Sequence, residues 1–474
     1  MNEIPLDTVI PRYERVKSAI PAAGSSVYLV GGAVRDFLLG RPSYDFDFIV
    51  FGDPESFARR VSTTLGGRLV VLDERERIYR VVCRGVEYDF SAPKGPDLPS
   101  DLAMRDFTIN ALAANVSLSP SPVTGLPGGQ DDLATGVIRA ASDAAFTHDP
   151  LRLLRAFRFK AVLGFSLDEQ TRQQIVLRHG LITSCARERI RDEWARLLSS
   201  PHAFGAVRGM DETGLLETIF PEISAMKGVE QNRWHSWDVW GHCMATMQEM
   251  ETVIDDLDRF FPGRAGELTD YLKEPLGAGW TRGSFAKLVA LVHDVGKPET
   301  RTVREDDQAS FYGHENVGAE IFLRLGRRIL LGKKAARFGR LLIKNHMRLL
   351  SLAVSQQVTK RAVARLFRDT GDALPALLIL GLADTRAGRQ DPARENESLD
   401  VIDEVFSVVD EIKTRVTPLL TGTEIMRLCS IPEGKIVGTL KSELADAQAV
   451  GTVTTKAEAR GFVRERIKNH ETVA

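Results

Sequence analysis

The sequence predicts an α+β chain, a small mixed head followed by an extended all-helical body, and three observations carry that reading. Short apolar and alternating runs crowd the stretch up to about residue 145, apolar residues at helical spacing dominate the remainder of the chain, and no fixed-period repeat is present. At 474 residues the chain has room for about three domains. Hydrophobic residues make up 43% and charged residues 27%, which is the mix of a soluble chain with an ample core. No run approaches the ~20 apolar residues of a membrane span, and the start, "MNEIPLDTVIPRYERV", lacks the apolar stretch of a signal peptide. Cys83, Cys185, Cys243 and Cys429 are scattered without a CxxC pair, which points to a reducing cytoplasm and away from a cysteine zinc site.

In the head, "SVYLV", "DFDFIV", "RLVVL", "RVVCRGVEYDF" and "GVIRAA" read as strands, and "DFTINALAANV" as helix running into strand. "LRLLRAFRFKAVLGF" and "RERIRDEWARLLSS" then open the helical part. Between residues 255 and 283 an acid-rich stretch with Gly and Pro reads as an inserted loop or a short irregular subdomain. The expected divisions are a head over 1–145, a helical neck over 146–225, a second helical domain over 226–400 and a C-terminal helical region over 401–474.

The net charge of −2 conceals an uneven distribution. Residues 321–368 hold thirteen Lys or Arg and no acid, and residues 151–200 hold ten basic against five acidic residues. Either patch alone reads most simply as a solvated helix face; both together fit a polyanionic partner.

The most informative stretch is "YLVGGAVRDFLLGRPSYDFDFIV", residues 28–50. In a strand, residues two apart share a face, so Asp45 and Asp47 point one way and Phe46 and Phe48 the other. Two carboxylates so close repel unless a cation neutralises them, and Mg²⁺ commonly takes one or two carboxylates plus substrate phosphates. Asp89, in "VEYDF", alternates correctly to supply a third. Gly31 and Gly32 allow backbone N–H groups to approach a phosphate closely at the start of a helix, with Arg35 in its first turns. A DxD alone is usually a solvated strand edge, and a GG pair says less still. The order strand, GG, helix, DxD within some twenty residues is far more specific.

"LVGGAVRDFLLGRPSYDFDF" resembles the first motif of the class II tRNA nucleotidyltransferase and bacterial poly(A) polymerase family. "DLAMRDFTINALA" resembles the second motif, "DPLRLLRAFRF" the nucleotide-reading helix, and "RERIRDEW" a later helical motif. The C-terminal "LLTGTEIMRLCSIPEGKIVGTLKSELADAQAVGTVTTKAEA" is also similar to that of many members. The resemblance implies a polymerase-β-like nucleotidyltransferase head with Asp45, Asp47 and Asp89 as catalytic carboxylates, of which Asp45 and Asp47 hold Mg²⁺. It also implies nucleotide contacts from Gly31, Gly32, Arg35, Arg105, Asp106, Asn110, Asp149, Arg152, Arg155 and Arg158. Two departures stand out: Met104 replaces the first of two arginines usual before "DFTINA", and His148 replaces a glutamate usual before Asp149.

Asp149 and Arg152 are three apart at an expected helix start, where Pro150 is tolerated in the first turn. Asp accepts and Arg donates. Cytosine and adenine present an amino donor beside a ring-nitrogen acceptor; uracil and guanine reverse that order, so the pair would accept CTP and ATP.

The helical half carries a second constellation. Five of the nine histidines, His235, His242, His293, His314 and His346, fall in it, with "KLVALVHDVGKPET" placing His293 beside Asp294. A lone buried histidine is most often satisfied by its neighbours. The order His242, His293–Asp294, Asp384 resembles the HD phosphohydrolase superfamily, with His314 and His346 where dinuclear members add ligands. Imidazole with carboxylate suits a transition-metal divalent ion.

The expected function is template-independent addition or repair of the 3′ CCA end of tRNA from CTP and ATP, with a metal-dependent HD phosphohydrolase domain, in the cytoplasm and without a membrane partner. CC-only or A-only addition, poly(A) synthesis, and an HD phosphohydrolase with an RNA-binding head stay open at this point, as does the oligomeric state.

Overall fold

The computed structural model describes residues 3–21, 26–231, 237–303, 308–354, 358–388, 392–415, 418–449 and 451–471. His235 lies outside them. The chain divides into two compact units, Met1–Ile219 and Phe220–Ala474.

The first unit is organised by the alternation of "DFDF". Eight strands form one sheet: β1 (Glu3–Ile4), β2 (Ser26–Val30), β3 (Asp45–Phe51), β4 (Arg68–Asp73), β5 (Ile78–Cys83), β6 (Val86–Ser91), β7 (Leu112–Asn115) and β8 (Ser121–Gly125). Their order is β1-β8-β7-β2-β3-β6-β5-β4. β3 and β6 pair in parallel, while the other neighbours pair antiparallel. Phe46 and Phe48 are buried and stack on Tyr88 and Phe90 at 5.9 and 5.1 Å between ring centroids. The Pro54–Leu65 helix covers this aromatic face, with Phe57 edge-on to Phe90 at 5.2 Å. Each such ring contributes roughly 1.5–3 kcal/mol on burial, so the sheet face that carries the carboxylates is held from behind by its own aromatic layer.

The expected strand "RVVCRGVEYDF" is two strands, because Arg84 and Gly85 take positive φ values of 50° and 80° and turn the chain into a β5–β6 hairpin. "GVIRAA" supplies only Val137–Ile138, which pairs in parallel with Ser166–Leu167 outside the large sheet. "DFTINALAANV" begins with a single 3₁₀ turn, Thr108–Asn110, and continues as β7. Behind the head, the Arg152–Leu163 helix packs against Arg187–Leu198 and Ala203–Glu212 through Phe157, Trp194 and Val207, all buried.

In the second unit the Arg282–Val292 helix is buried along its whole length and packs with Val239–Asp255 and Leu374–Ala387. The stretch 255–283, expected to be irregular, is largely ordered into helices Leu257–Phe260 and Ala265–Lys273 and a hairpin of Pro275–Gly277 with Trp280–Thr281. Leu268, Leu272 and Trp280 anchor it to the core. At the C-terminal end, helices Gly422–Cys429, Lys435–Ala449 and Lys456–Glu471 share a small core around Ile425, Leu440 and Val463.

Candidate active site

The register of β3 and β6 sets Asp45 opposite Glu87 and Asp47 opposite Asp89. One oxygen from each of Asp45, Asp47 and Asp89 lies within 4.8 Å of the others. Burial, then the neighbouring Asp45 charge, pushes Asp47 up to about 6, and burial with Asp89 also raises Asp45. Arg80 and Arg105 offset this only in part, and carboxylates whose ionised forms are penalised in this way have the oxygen-only donor set and the excess charge that a hard divalent cation neutralises. Asp89 already has a partner: Arg80, opposite it on β5, donates from Nε and Nη2 to both carboxylate oxygens at 2.7 Å.

Gly31 has φ 74° and ψ −131°, a backbone conformation that glycine adopts freely and other residues resist. A Cβ there would also come within 2.9 Å of Arg105 Nη1. The glycine corner opens the Gly32–Leu38 helix, which buries Arg35. Arg35 Nη1 donates to Asn110 Oδ1 at 2.7 Å, Asn110 Nδ2 donates to Asp106 Oδ1 at 3.0 Å, and Arg155 clamps Asp106 Oδ2 from Nε and Nη2 at 3.0 and 2.6 Å. Burial alone would raise Asp106, but Arg155 and Asn110 hold it below the usual carboxylate range. Arg158 pairs with Glu193 at 2.6 Å and lies 3.9 Å from the centroid of Phe159.

These residues surround one cavity of about 390 Å³. All ten expected nucleotide contacts line it: Gly31, Gly32, Arg35, Arg105, Asp106, Asn110, Asp149, Arg152, Arg155 and Arg158, together with Asp47. Asp45 and Asp89 stand in the carboxylate cluster beside Asp47 and do not line the cavity themselves.

The expected pairing of Asp149 with Arg152 takes a different form. The helix begins at Arg152, and Asp149 precedes it with extended φ −144° and ψ 99°. Asp149 Oδ2 accepts from Arg189 Nη2 at 2.8 Å, whereas Arg152 donates to the carbonyls of Met104, Arg105 and Ala145 at 2.6, 3.0 and 3.2 Å. Burial opposes ionisation of Asp149, but Arg189 holds its carboxyl below the ordinary value. Acceptor and donor are therefore each fixed from outside the pair. Sequence reading missed Arg80 and Arg189, and also Lys94 and Asp101, which line the same cavity. The i,i+4 spacing of Asp101 and Arg105 was a usable signal for the last.

The second unit assembles the other constellation. His242 Nε2 is 2.7 Å from Asp384 Oδ1, and His293 Nε2 lies 3.3 Å from Asp294 Oδ2 and 3.6 Å from Asp384 Oδ1. On the other side of Asp294, Oδ1 lies 3.3 Å from His314 Nε2 and 3.5 Å from His346 Nε2. His242, His293 and Asp294 form one possible ligand group and Asp294, His314 and His346 a second. The Nδ1 atoms of His293, His314 and His346 lie 2.8, 2.7 and 2.7 Å from the carbonyls of Ala290, Phe311 and Ile343. As Nδ1–H donors, the three rings turn their Nε2 lone pairs inward, an arrangement usual for metal-ligating histidine. His293 Nε2 and both Asp294 oxygens are buried without a hydrogen bond of normal geometry, which fits a place for a metal. Lys297 Nζ, 2.6 Å from Asp294 Oδ2, is the foremost charge that overcomes the burial penalty and holds Asp294 ionised, well below the usual range. Gly296 is required for closure: a Cβ there would collide with the His314 carbonyl oxygen.

Three family models match in order: a poly A polymerase head domain over 27–139, a probable RNA- and SrmB-binding site of polymerase A over 164–227, and an HD domain over 264–403, a span that begins after His242. An A-adding tRNA nucleotidyltransferase of Deinococcus radiodurans is 33% identical over 95% of this chain and 98% of its own. A CC-adding tRNA nucleotidyltransferase of Thermus thermophilus is 34% identical over 92% of each. In fold, the chain is similar to a Thermotoga maritima CCA-adding enzyme complexed with tRNA, with TM-score 0.67 and 20% identity, covering 98% of this chain and 100% of that one. No helix among the described residues is long and apolar enough to cross a membrane. Near-full-length identity of this degree, on the same order of domains, settles the kinship: the chain belongs to the tRNA nucleotidyltransferase and poly(A) polymerase family of enzymes, with an HD domain C-terminal to the nucleotidyltransferase head.

Proposed function

We propose that this enzyme adds nucleotides without a template to the 3′ CCA end of tRNA, using CTP and ATP. The observation that carries the reading is the single cavity that gathers Asp47 with the glycine corner, four arginines beyond Arg35 and the Asp149–Arg152 edge. The RNA 3′-hydroxyl releases its proton to solvent as its oxygen attacks the α-phosphorus, the bond to the bridging oxygen breaks, and pyrophosphate leaves. Asp45 and Asp47 would hold Mg²⁺, with Asp89 completing the cluster. Bound there, the metal supplies charge neutralisation for the attacking and leaving oxygens. The Gly31–Gly32 backbone, Arg35 and Arg105 receive the triphosphate, while Arg155 and Arg158 hold the cavity wall positive.

Asp149 accepts from the amino group of cytosine or adenine, and Arg152 donates to the adjacent ring nitrogen. A uracil or guanine would leave donors and acceptors unpaired, at about 1–3 kcal/mol for each buried group. RNA lies along basic helical surface and is recognised by shape and backbone, as is general for duplex RNA. This work belongs in the cytoplasm.

A second reading has specific support. The near-full-length relatives of Deinococcus radiodurans and Thermus thermophilus are an A-adding and a CC-adding enzyme, and by analogy with either this chain would complete only one part of the end. Transcripts ending before CCA, after C and after CC, offered each triphosphate singly and mixed, distinguish the readings. Full extension of all three supports CCA synthesis; extension that stops at CC, or only of the CC transcript, supports a specialised enzyme.

For the second unit we infer a metal-dependent phosphohydrolase. His242, His293, Asp294 and Asp384, with His314 and His346, offer the mixed nitrogen and oxygen donors that favour Mn²⁺, Ni²⁺ or Zn²⁺ over Mg²⁺. Metal analysis of purified protein, alongside hydrolysis of phosphomonoesters and cyclic phosphodiesters, tests it.

A further inference from the structure

Asp101 is an acid in a place that should repel one. It lines the cavity proposed to receive a triphosphate, it is 4% exposed, and no part in the reaction falls to it directly. Its two oxygens do different things. Oδ1 accepts the backbone N–H of Lys94 at 2.8 Å, which pins the turn after β6 onto the Leu98–Ala103 helix. The packing there is close, since a Cβ on Gly95 would fall 2.5 Å from Ser100 Cβ. Oδ2 faces Arg105 Nε at 3.6 Å, one turn further along.

Arg105 in turn lies against the glycine corner, where its Nη1 would stand 2.9 Å from a Cβ on Gly31. Its Nε is buried without a hydrogen bond and faces Asp101, while Asp47, which also lies beside the Gly31 corner, shares in compensating the guanidinium charge. With methionine at position 104, Arg105 is the one cation that the stretch Leu102–Phe107 brings to the cavity. A free arginine side chain has many rotamers, and a buried carboxylate four residues earlier removes most of them.

We propose that Asp101 is a positioning residue for nucleotide binding: it aims the Arg105 guanidinium at the Gly31 corner so that the fork meets the triphosphate in one orientation. The inference rests on the reading that Arg105 contacts the triphosphate. It adds that a buried acid, by charge and not by touching substrate, sets how well that contact is made.

Asp101→Asn separates the two oxygens' roles. The amide oxygen keeps an acceptor for the Lys94 N–H, so the turn stays pinned, while the charge facing Arg105 is lost. In the full-length protein, steady-state addition to a tRNA transcript should show KM for ATP and CTP raised by about tenfold, KM for RNA unchanged and kcat little altered. Arg105→Ala should raise the same KM, and adding Asp101→Asn to it should change nothing more. A lower triphosphate KM in Asp101→Asn would mean that the acid acts only by repelling phosphate and would overturn the proposal. So would an unchanged KM in a protein where Arg105→Ala shows a large effect. If Arg105→Ala itself leaves KM unchanged, the assignment of Arg105 to the triphosphate fails, and the positioning role fails with it. Should Asp101→Asn melt well below wild type, Asp101→Glu is the second variant: it keeps the charge, so triphosphate KM should stay closer to wild type than in Asp101→Asn, and an equal loss in both would assign Asp101 to the turn alone.

Discussion

Asp47 and Asp89 face each other across the parallel pairing of β3 with β6; Arg80 clamps Asp89 with two hydrogen bonds, whereas Arg105 and Arg80 offset Asp47 by charge alone. Burial and the Asp45 charge raise Asp47, and burial and the Asp89 charge raise Asp45. In the proposed catalytic role, function and stability pull in opposite directions at these two positions.

The cost of that charge is measurable without any substrate. Asp47 is pushed up to about 6, above the ordinary carboxylate value, so the folded state binds its proton more tightly than the unfolded chain does. Below about pH 4 both states are protonated and there is no penalty; between about pH 4 and 6 stability falls as pH rises, and above about pH 6 the full penalty remains. Metal-free Asp47→Asn should thus melt a few degrees above metal-free wild type at pH 8, by an upper bound of about 3 kcal/mol. The difference should shrink steadily toward pH 4. Calorimetry across that range in chelator checks it, and a pH-independent difference would count against a buried charge as the cause.

Base choice should depend on a residue outside the reader as well as on the reader itself. Asp149→Ala should relax discrimination between CTP or ATP and UTP or GTP by roughly tenfold to a hundredfold, with a smaller loss of triphosphate affinity. Arg189→Ala should do the same in weaker form, because Arg189 holds Asp149 Oδ2 at 2.8 Å. Single-turnover incorporation of all four nucleotides measures both. A uniform loss of affinity with unchanged preference would remove Asp149 from base reading.

The alternating carboxylates and the glycine corner are legible in the sequence because each stems from a local period or a local turn. The residues that stay hidden depend on register. Arg80 reads as one more alternating strand residue until the Arg84–Gly85 turn sets it opposite Asp89. Arg189, forty positions from Asp149, is found only once two helices pack. β8, Ser121–Gly125, carries Pro122 and a glycine and has no apolar run to announce it; its pairing with β7 makes it a strand. The Arg152–Leu163 helix starts later than Asp149, where Pro150 suggests a first turn, because Asp149 stays extended and Arg152 takes the first helical position. In the second unit the candidate ligand residues are legible one by one, but the inward turn of three rings depends on the carbonyls of Ala290, Phe311 and Ile343, which no side-chain pattern encodes.

The two constellations differ in donor chemistry and should respond separately. The double change His293→Ala, Asp294→Ala should remove a copurifying transition metal and any phosphohydrolase activity while nucleotide addition stays within about twofold of wild type. Metal analysis and parallel assays of both activities decide it. Collapse of addition in a variant that remains folded would mean that the sites are coupled; absence of transition metal in wild type would reduce the histidine cluster to a structural core.

If Asp45 and Asp47 carry the chemistry beside the Gly31 corner, removing one of them must stop the reaction and spare the RNA. Asp47→Ala puts this to the proof through single-turnover incorporation of CTP and ATP into a truncated tRNA transcript at saturating Mg²⁺, with RNA affinity measured on the same preparation. Incorporation should fall by at least about 10³-fold with RNA affinity within a few fold of wild type, since removing a metal-holding carboxylate affects the transition state and leaves the RNA contacts in place. Incorporation at near wild-type rate would contradict the assignment of these carboxylates to catalysis.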